Sequence, residues 1–235
     1  MFVLGFHFGG EMAIPDIFGK RRPVSPPGGR GKFSADLLDE AISTELMLSI
    51  PKQEKSLWCW VAVGSGIASF YRVNVPTQCR VANAVLNVPD DTCCRNGDSS
   101  CNRFGYLNHT LAHFNCFDRY EAGVPRPSAI DTEIGGRRPL GVRVQWQTGI
   151  GAGTGHFLAV SGIRQTATGT DLVVKDPWEG STSVVSHAKM ASSYGVGKGR
   201  WTHSFFTISP SDAELAGGGD AFKALDDDPG LLGGM

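Results

Sequence analysis

The chain has 235 residues, 41% of them hydrophobic and 19% charged, enough for one catalytic-size core with flanking segments and too little for two full domains. Its 31 Gly and 13 Pro exclude a long coiled coil. With 22 Lys+Arg against 23 Asp+Glu the formal net charge is -1, so whole-chain electrostatics favours neither nucleic acid nor an anionic membrane.

Residues 1–33 carry repeated Gly, Pro and Arg/Lys, including Lys20, Arg21, Arg22 and the run Pro26 to Gly31, with no hydrophobic period, and are expected to form a flexible arm. Met1 to Phe8 is apolar but has no basic leading segment and no small-residue cleavage site behind it, so no ordinary secretory signal is read there. No stretch approaches the roughly 20 apolar residues of a membrane-spanning helix, and a soluble chain is expected. Ser34 can cap a short helix carrying Leu37, Leu38, Ile42 and Leu46. Met47 to Pro51 reads as extended, and Trp58 to Tyr71, with large residues and no strict alternation, as a largely buried helix closed before Pro76. Leu140 to Trp146, Phe157 to Ile163, Leu172 to Val174 and Ser204 to Ile208 read as strands, with a hairpin turn at Gln165 to Gly169. A helical first half followed by a sheet-rich second half is the pattern of an α+β domain, placed at 34–210. Residues 211–235 form an acidic Gly-rich tail with Asp212, Glu214, Asp220 and Asp226 to Asp228.

The segment Gln53-Glu54-Lys55-Ser56-Leu57-Trp58-Cys59-Trp60 puts a thiol at the start of the buried helix, where backbone N–H groups favour its thiolate. A thiolate there is poised to attack a carbonyl carbon. Gln53, six residues upstream, carries an amide N–H suited to the oxygen that becomes negative in that attack. The alternative is a packed Cys between two tryptophans, so the partners must decide. His156 follows the glycine-rich run Gly149 to Gly155 at the mouth of a strand, and Asp176 ends the next strand in Lys175-Asp176-Pro177-Trp178. Adjacent antiparallel strands would let Asp176 accept from one nitrogen of His156 while the other faces Cys59, the arrangement a general base and its orienting carboxylate need.

In motif and order these residues resemble the papain-like cysteine peptidases, and among them a microbial subgroup that includes effectors delivered into plant cells. The likeness rests on Gln53 with Trp58-Cys59-Trp60, then Gly155-His156-Phe157, then Val174-Lys175-Asp176-Pro177-Trp178. Thr77-Gln78-Cys79, Cys93-Cys94, Cys101 and Trp201-Thr202-His203-Ser204 extend it over roughly 48–210. It implies a left lobe of helices, a right lobe of antiparallel strands and a cleft between them. It also implies a peptidase with Cys59 as nucleophile, His156 as base, Asp176 orienting the ring and Gln53 in the oxyanion hole. Val61-Ala62 stands where the subgroup often has Ala-Ala, a small change facing the core. The same triad would serve an acyl transferase or a glutamine deamidase, and a catalytically inactive binding module is the reading from another class. A protein or peptide substrate is expected, with no cofactor, no metal, no nucleic acid and no membrane partner.

Of the five other cysteines, Cys79, Cys93, Cys94 and Cys101 lie close together. Vicinal Cys93 and Cys94 seldom bond to each other, so two disulfides to Cys79 and Cys101 are expected in an order the spacing leaves open, with Cys116 left over. Free thiols and a zinc site using His109 and His113 are the rivals, the latter without a Cys-x-x-Cys hook. Disulfides would indicate an oxidising compartment reached by a non-classical route; without them the cytoplasm is the expected location. The Gly149 to Gly155 run lacks the Lys-Ser/Thr of a phosphate loop and reads as a cleft rim. Trp178 is read as either a shield over the His156–Asp176 bond or a core residue, and His187 and His203 as structural.

Overall fold

A computed structural model describes residues 43–89, 91–95 and 100–215. Helix α1 (Cys59–Phe70) is buried on all sides from Cys59 to Ala68, as a helix apolar all round must be. Its small residues admit close neighbours: a Cβ at Gly64 would lie 2.4 Å from Thr110, and one at Gly66 would lie 2.8 Å from Ser49 O. Around it pack α2 (Gln78–Val85) and α3 (Leu107–His113), joined through Ile67, Val81, Leu107 and Leu111.

The remainder is organised by one antiparallel sheet. Its strands are β1 (Ser43–Glu45), β2 (Phe117–Ala122), β3 (Leu140–Gln145), β4 (Gly155–Thr166), β5 (Gly169–Asp176), β6 (Ser181–Ser186) and β7 (Arg200–Thr207), in the order β2-β7-β3-β4-β5-β6 with β1 on β4. The turn read between Gln165 and Gly169 is a tight hairpin with Thr166 paired to Gly169. Because strand side chains alternate between faces, Phe157, Ala159 and Phe205 reach the cluster of α1 and α3. Leu140, Val142, Val144, Leu158 and Val160 point the other way, onto Ile130 and Ile134 of α4 (Pro127–Gly135) and Met190 of α5 (His187–Ser192). Each large apolar side chain withdrawn from water in this way stabilises the fold by about 1.5–3 kcal/mol.

The expected mixed α+β class is present, with one correction. Residues 43–45, read as part of a helix, are strand β1. Their backbone pairs with β4 from Ser43 opposite Arg164 to Glu45 opposite Gly162, and Leu46 N–H donates to Ser161 O at 2.7 Å. Sheet pairing outweighed a short apolar spacing with little helix to support it. The rest of that helix and the arm at 1–33 lie outside the described residues. The acidic tail opens with a helical turn, α6 (Pro210–Leu215), and residues from 216 onward lie outside the description. The open disulfide order resolves as Cys79–Cys94 and Cys93–Cys101, and Cys116 is a buried free thiol. The four cysteines a zinc site would recruit are therefore in disulfides. No helix among the described residues is long and apolar enough to cross a membrane.

Candidate active site

Cys59 is the first residue of α1, fully buried, with Trp58 as the N-cap. The two flanking indoles are fixed by one segment: Trp58 Nε1 donates to Cys101 O at 2.7 Å and Trp60 Nε1 to Arg103 O at 3.2 Å. Gly105 lies so close to the Trp60 indole that a Cβ there would stand 2.3 Å from it. The thiol is thus set at the positive end of a helix whose start is clamped from both sides. Val61 and Ala62, the departure noted from the subgroup, are both buried.

His156 opens the second position of β4 and pairs across the sheet with Val144. Its Nε2–H donates to Asp176 Oδ1 at 2.9 Å, from the end of β5. Asp176 has further donors, Trp178 N–H on Oδ1 and Tyr194 O–H on Oδ2, both at 2.9 Å. Burial by itself would push His156 down, but Asp176 and the nearby Cys59 sulfur outweigh it and hold the imidazole up at about 9. Asp176 shows the reverse balance: burial raises its carboxyl, while His156, Trp178 and Tyr194 bring it below the ordinary carboxylate value. His156 Nδ1 is buried and makes no hydrogen bond of good geometry, yet the Cys59 sulfur is near enough to raise the ring's proton affinity.

Gln53 is 8% exposed, and its backbone N–H donates to Pro177 O at 2.8 Å, tying it to the turn that follows Asp176. Its side-chain Nε2 donates to Lys55 O at 2.9 Å and Ser56 O at 2.7 Å, inside the loop that leads to Cys59. The four residues singled out from the sequence therefore sit on elements tied to one another by direct hydrogen bonds, apart from the looser approach of Cys59 to the ring.

Trp178, read as a shield over the His156–Asp176 bond or a core residue, is 39% exposed, and its backbone N–H donates to Asp176 Oδ1. Trp146 stacks on His156, with centroids 5.7 Å apart and planes at 21°, and also on Tyr194 at 6.3 Å. Trp146 and Tyr194 were missed because neither lies near a motif. The sequence signal for them is only the glycine spacing Gly195, Gly197, Gly199, whose bare backbone packs on Trp146. The Gly149 to Gly155 run turns at Gly149 and Gly153, both at φ 86, and returns to Trp146 through paired backbone bonds. His187 Nε2–H donates to Pro125 O at 3.0 Å, a structural contact. Tyr120 is edge-on to His203 at 6.5 Å.

A family model described as papain-like cysteine protease AvrRpt2 matches residues 41–194, a span that contains Gln53, Cys59, His156 and Asp176. No curated protein matches the chain.

Proposed function

Because the chain belongs to the papain-like cysteine proteases of the AvrRpt2 family, and is on that ground a cysteine-type hydrolase acting on protein substrates, we propose that Cys59, His156, Asp176 and Gln53 perform its chemistry. The supporting observation is the 2.9 Å bond from His156 Nε2 to Asp176, on a ring whose other side answers to Cys59. The Cys59 thiolate attacks the substrate carbonyl carbon, forming a C–S bond as the carbonyl oxygen becomes negative. One Gln53 N–H turns from its loop carbonyl to that oxygen, joined by a backbone N–H at the start of α1. Collapse breaks the C–N bond, and His156 gives its Nδ1 proton to the departing amine. Water then attacks the thioester carbonyl, passing a proton to His156, and the C–S bond breaks to release the acid. Asp176 keeps the ring oriented through Nε2 and stabilises its positive charge.

The helices α1 to α3 form one lobe and the sheet the other in this reading, with the reaction at their junction, and residues 34–210 make up the peptidase domain. A defined glutamine-containing peptide tests the reaction type by mass. Hydrolysis splits the peptide, the expected result. Addition of about one dalton to intact peptide would indicate deamidation, and addition of a supplied amine would indicate acyl transfer; either as the sole product overturns peptide cleavage.

A further inference from the structure

Gln53 is held by two other amide side chains, each next to a disulfide cysteine. Gln78, beside Cys79, brackets the Gln53 backbone: its Nε2 donates to Lys52 O at 2.8 Å and its Oε1 accepts from Glu54 N–H at 3.0 Å. Asn102, beside Cys101, acts on the Gln53 side chain through the loop. Its Oδ1 accepts from Leu57 N–H at 3.0 Å and its Nδ2 donates to Ser56 Oγ at 3.0 Å. The Leu57 N–H and the Ser56 carbonyl are the two ends of one peptide unit. Since that unit is planar, a bond that fixes its N–H also fixes the direction of its C=O. The same Ser56 carbonyl accepts from Gln53 Nε2 at 2.7 Å. Asn102, the peptide plane and the Gln53 amide are therefore three links of one chain of hydrogen bonds, which polarise one another in series.

The disulfides join the two holders. Cys79 bonds Cys94 and Cys101 bonds Cys93, and Cys93 and Cys94 are consecutive residues. A continuous covalent path thus runs from the residue after Gln78 to the residue before Asn102, and Cys93 N–H is anchored to Asn83 Oδ1 of α2 at 2.8 Å. Gln78 is 6% exposed and so is held by packing as well.

We propose that Asn102 and Gln78 are positioning residues for the oxyanion hole, aiming the Gln53 amide from two sides and kept in register by the paired disulfides. The proposal rests on the reading of Gln53 as an oxyanion donor. Neither residue touches the reacting atoms; both set where the donor stands before the reaction begins. Losing one oxyanion-hole donor outright costs about 100- to 1,000-fold in kcat, so loosening its support through Asn102→Ala should cost about 10- to 100-fold.

The test compares three readouts on the 235-residue chain: kcat and KM for a fluorogenic peptide, inhibition by the peptide aldehyde of the same sequence, and the rate of Cys59 alkylation by iodoacetamide. The aldehyde forms a tetrahedral adduct whose oxygen needs the hole, whereas alkylation forms none. In Asn102→Ala, kcat and aldehyde affinity should fall together, while KM and the alkylation rate stay within about twofold. Asn102→Asp, which keeps the acceptor for Leu57 N–H, should recover most of the loss. Gln78→Ala should follow the same pattern. In a Gln53→Ala background, Asn102→Ala should cause little further loss, because residues acting through one another are not additive. Full additivity, unchanged aldehyde affinity, or an alkylation rate that falls in step with kcat would overturn the proposal. Undiminished kcat in Gln53→Ala alone would overturn the oxyanion role beneath it, and Cys59 alkylation without loss of turnover would overturn the nucleophile assignment, so the three failures are distinguishable.

Discussion

Asp176 spends three hydrogen bonds on two oxygens, and what it gains is control over a single ring. Its negative charge, with the Cys59 sulfur, outweighs burial and keeps His156 protonated up to about 9. The imidazolium therefore persists through neutral pH, and kcat/KM should decline on the alkaline side with an apparent pKa near 9. In Asp176→Asn that alkaline limb should move to lower pH, since the raising charge is gone and desolvation remains. A pH–rate profile of both proteins checks this; an unmoved limb would detach Asp176 from the imidazole. Tyr194 O–H supports the same carboxylate. A hydrogen bond to a charged group contributes about 1.5–3 kcal/mol, so Tyr194→Phe should lower kcat/KM by about tenfold or more if the whole of that energy serves orientation. Unchanged kinetics with a lowered melting temperature would make Tyr194 a purely structural support. The proposed triad could be picked out in the sequence because Cys59, His156 and Asp176 each stand at or near an element end, where a turn or helix start marks them. Tyr194, Trp146, Gln78 and Asn102 were not, since common residue types brought in from other parts of the chain carry no local signal.

Among the elements, those with a complete local pattern were readable and those that borrow their stability were not. Helix α1 is apolar enough to declare burial, and β3 to β5 alternate or run apolar between recognisable turns. Strand β1 has three residues and exists only through pairing with β4. Strand β2 reads Phe-Asp-Arg-Tyr-Glu-Ala with only Phe117 and Tyr120 partly buried, so no alternation announces it. The cysteine cluster declared that bonds exist but not which, because the folding of α2 against the 91–95 turn decides the pairing. The Cys79–Cys94 bond spans 15 residues, and closing a loop of that length stabilises by about 3 kcal/mol through the unfolded chain. Replacing both cysteines by serine should lower the urea unfolding free energy by about that amount. A value near zero would mean that the helical cluster holds this turn without the bond.

For the described molecule as a whole, one sheet carries the proposed pair His156 and Asp176, and α1 carries Cys59. Consecutive strands β4 and β5 bring the His156 ring within 2.9 Å of Asp176, and α1, with Cys59 at its start, packs on the face of β4 that bears Phe157 and Ala159. For His156 and Asp176 the order of the motifs along the chain becomes proximity in space through one hairpin, which is why that spacing was informative about the fold. How helices cover both faces of the sheet was not legible, because α4 and α5 are short and their apolar residues few. Cys116 offers a control within the same chain: it is fully buried, its thiol is pushed up to about 12 by burial, and its Sγ donates to Phe114 O at 3.3 Å. Titration of the purified 235-residue chain with iodoacetamide is the most direct measurement. One equivalent should enter, on Cys59 and not Cys116, peptidase activity should fall in proportion to its incorporation, and His156→Ala should slow the reaction. Full turnover after complete alkylation of Cys59, or in Cys59→Ala, would contradict the mechanism.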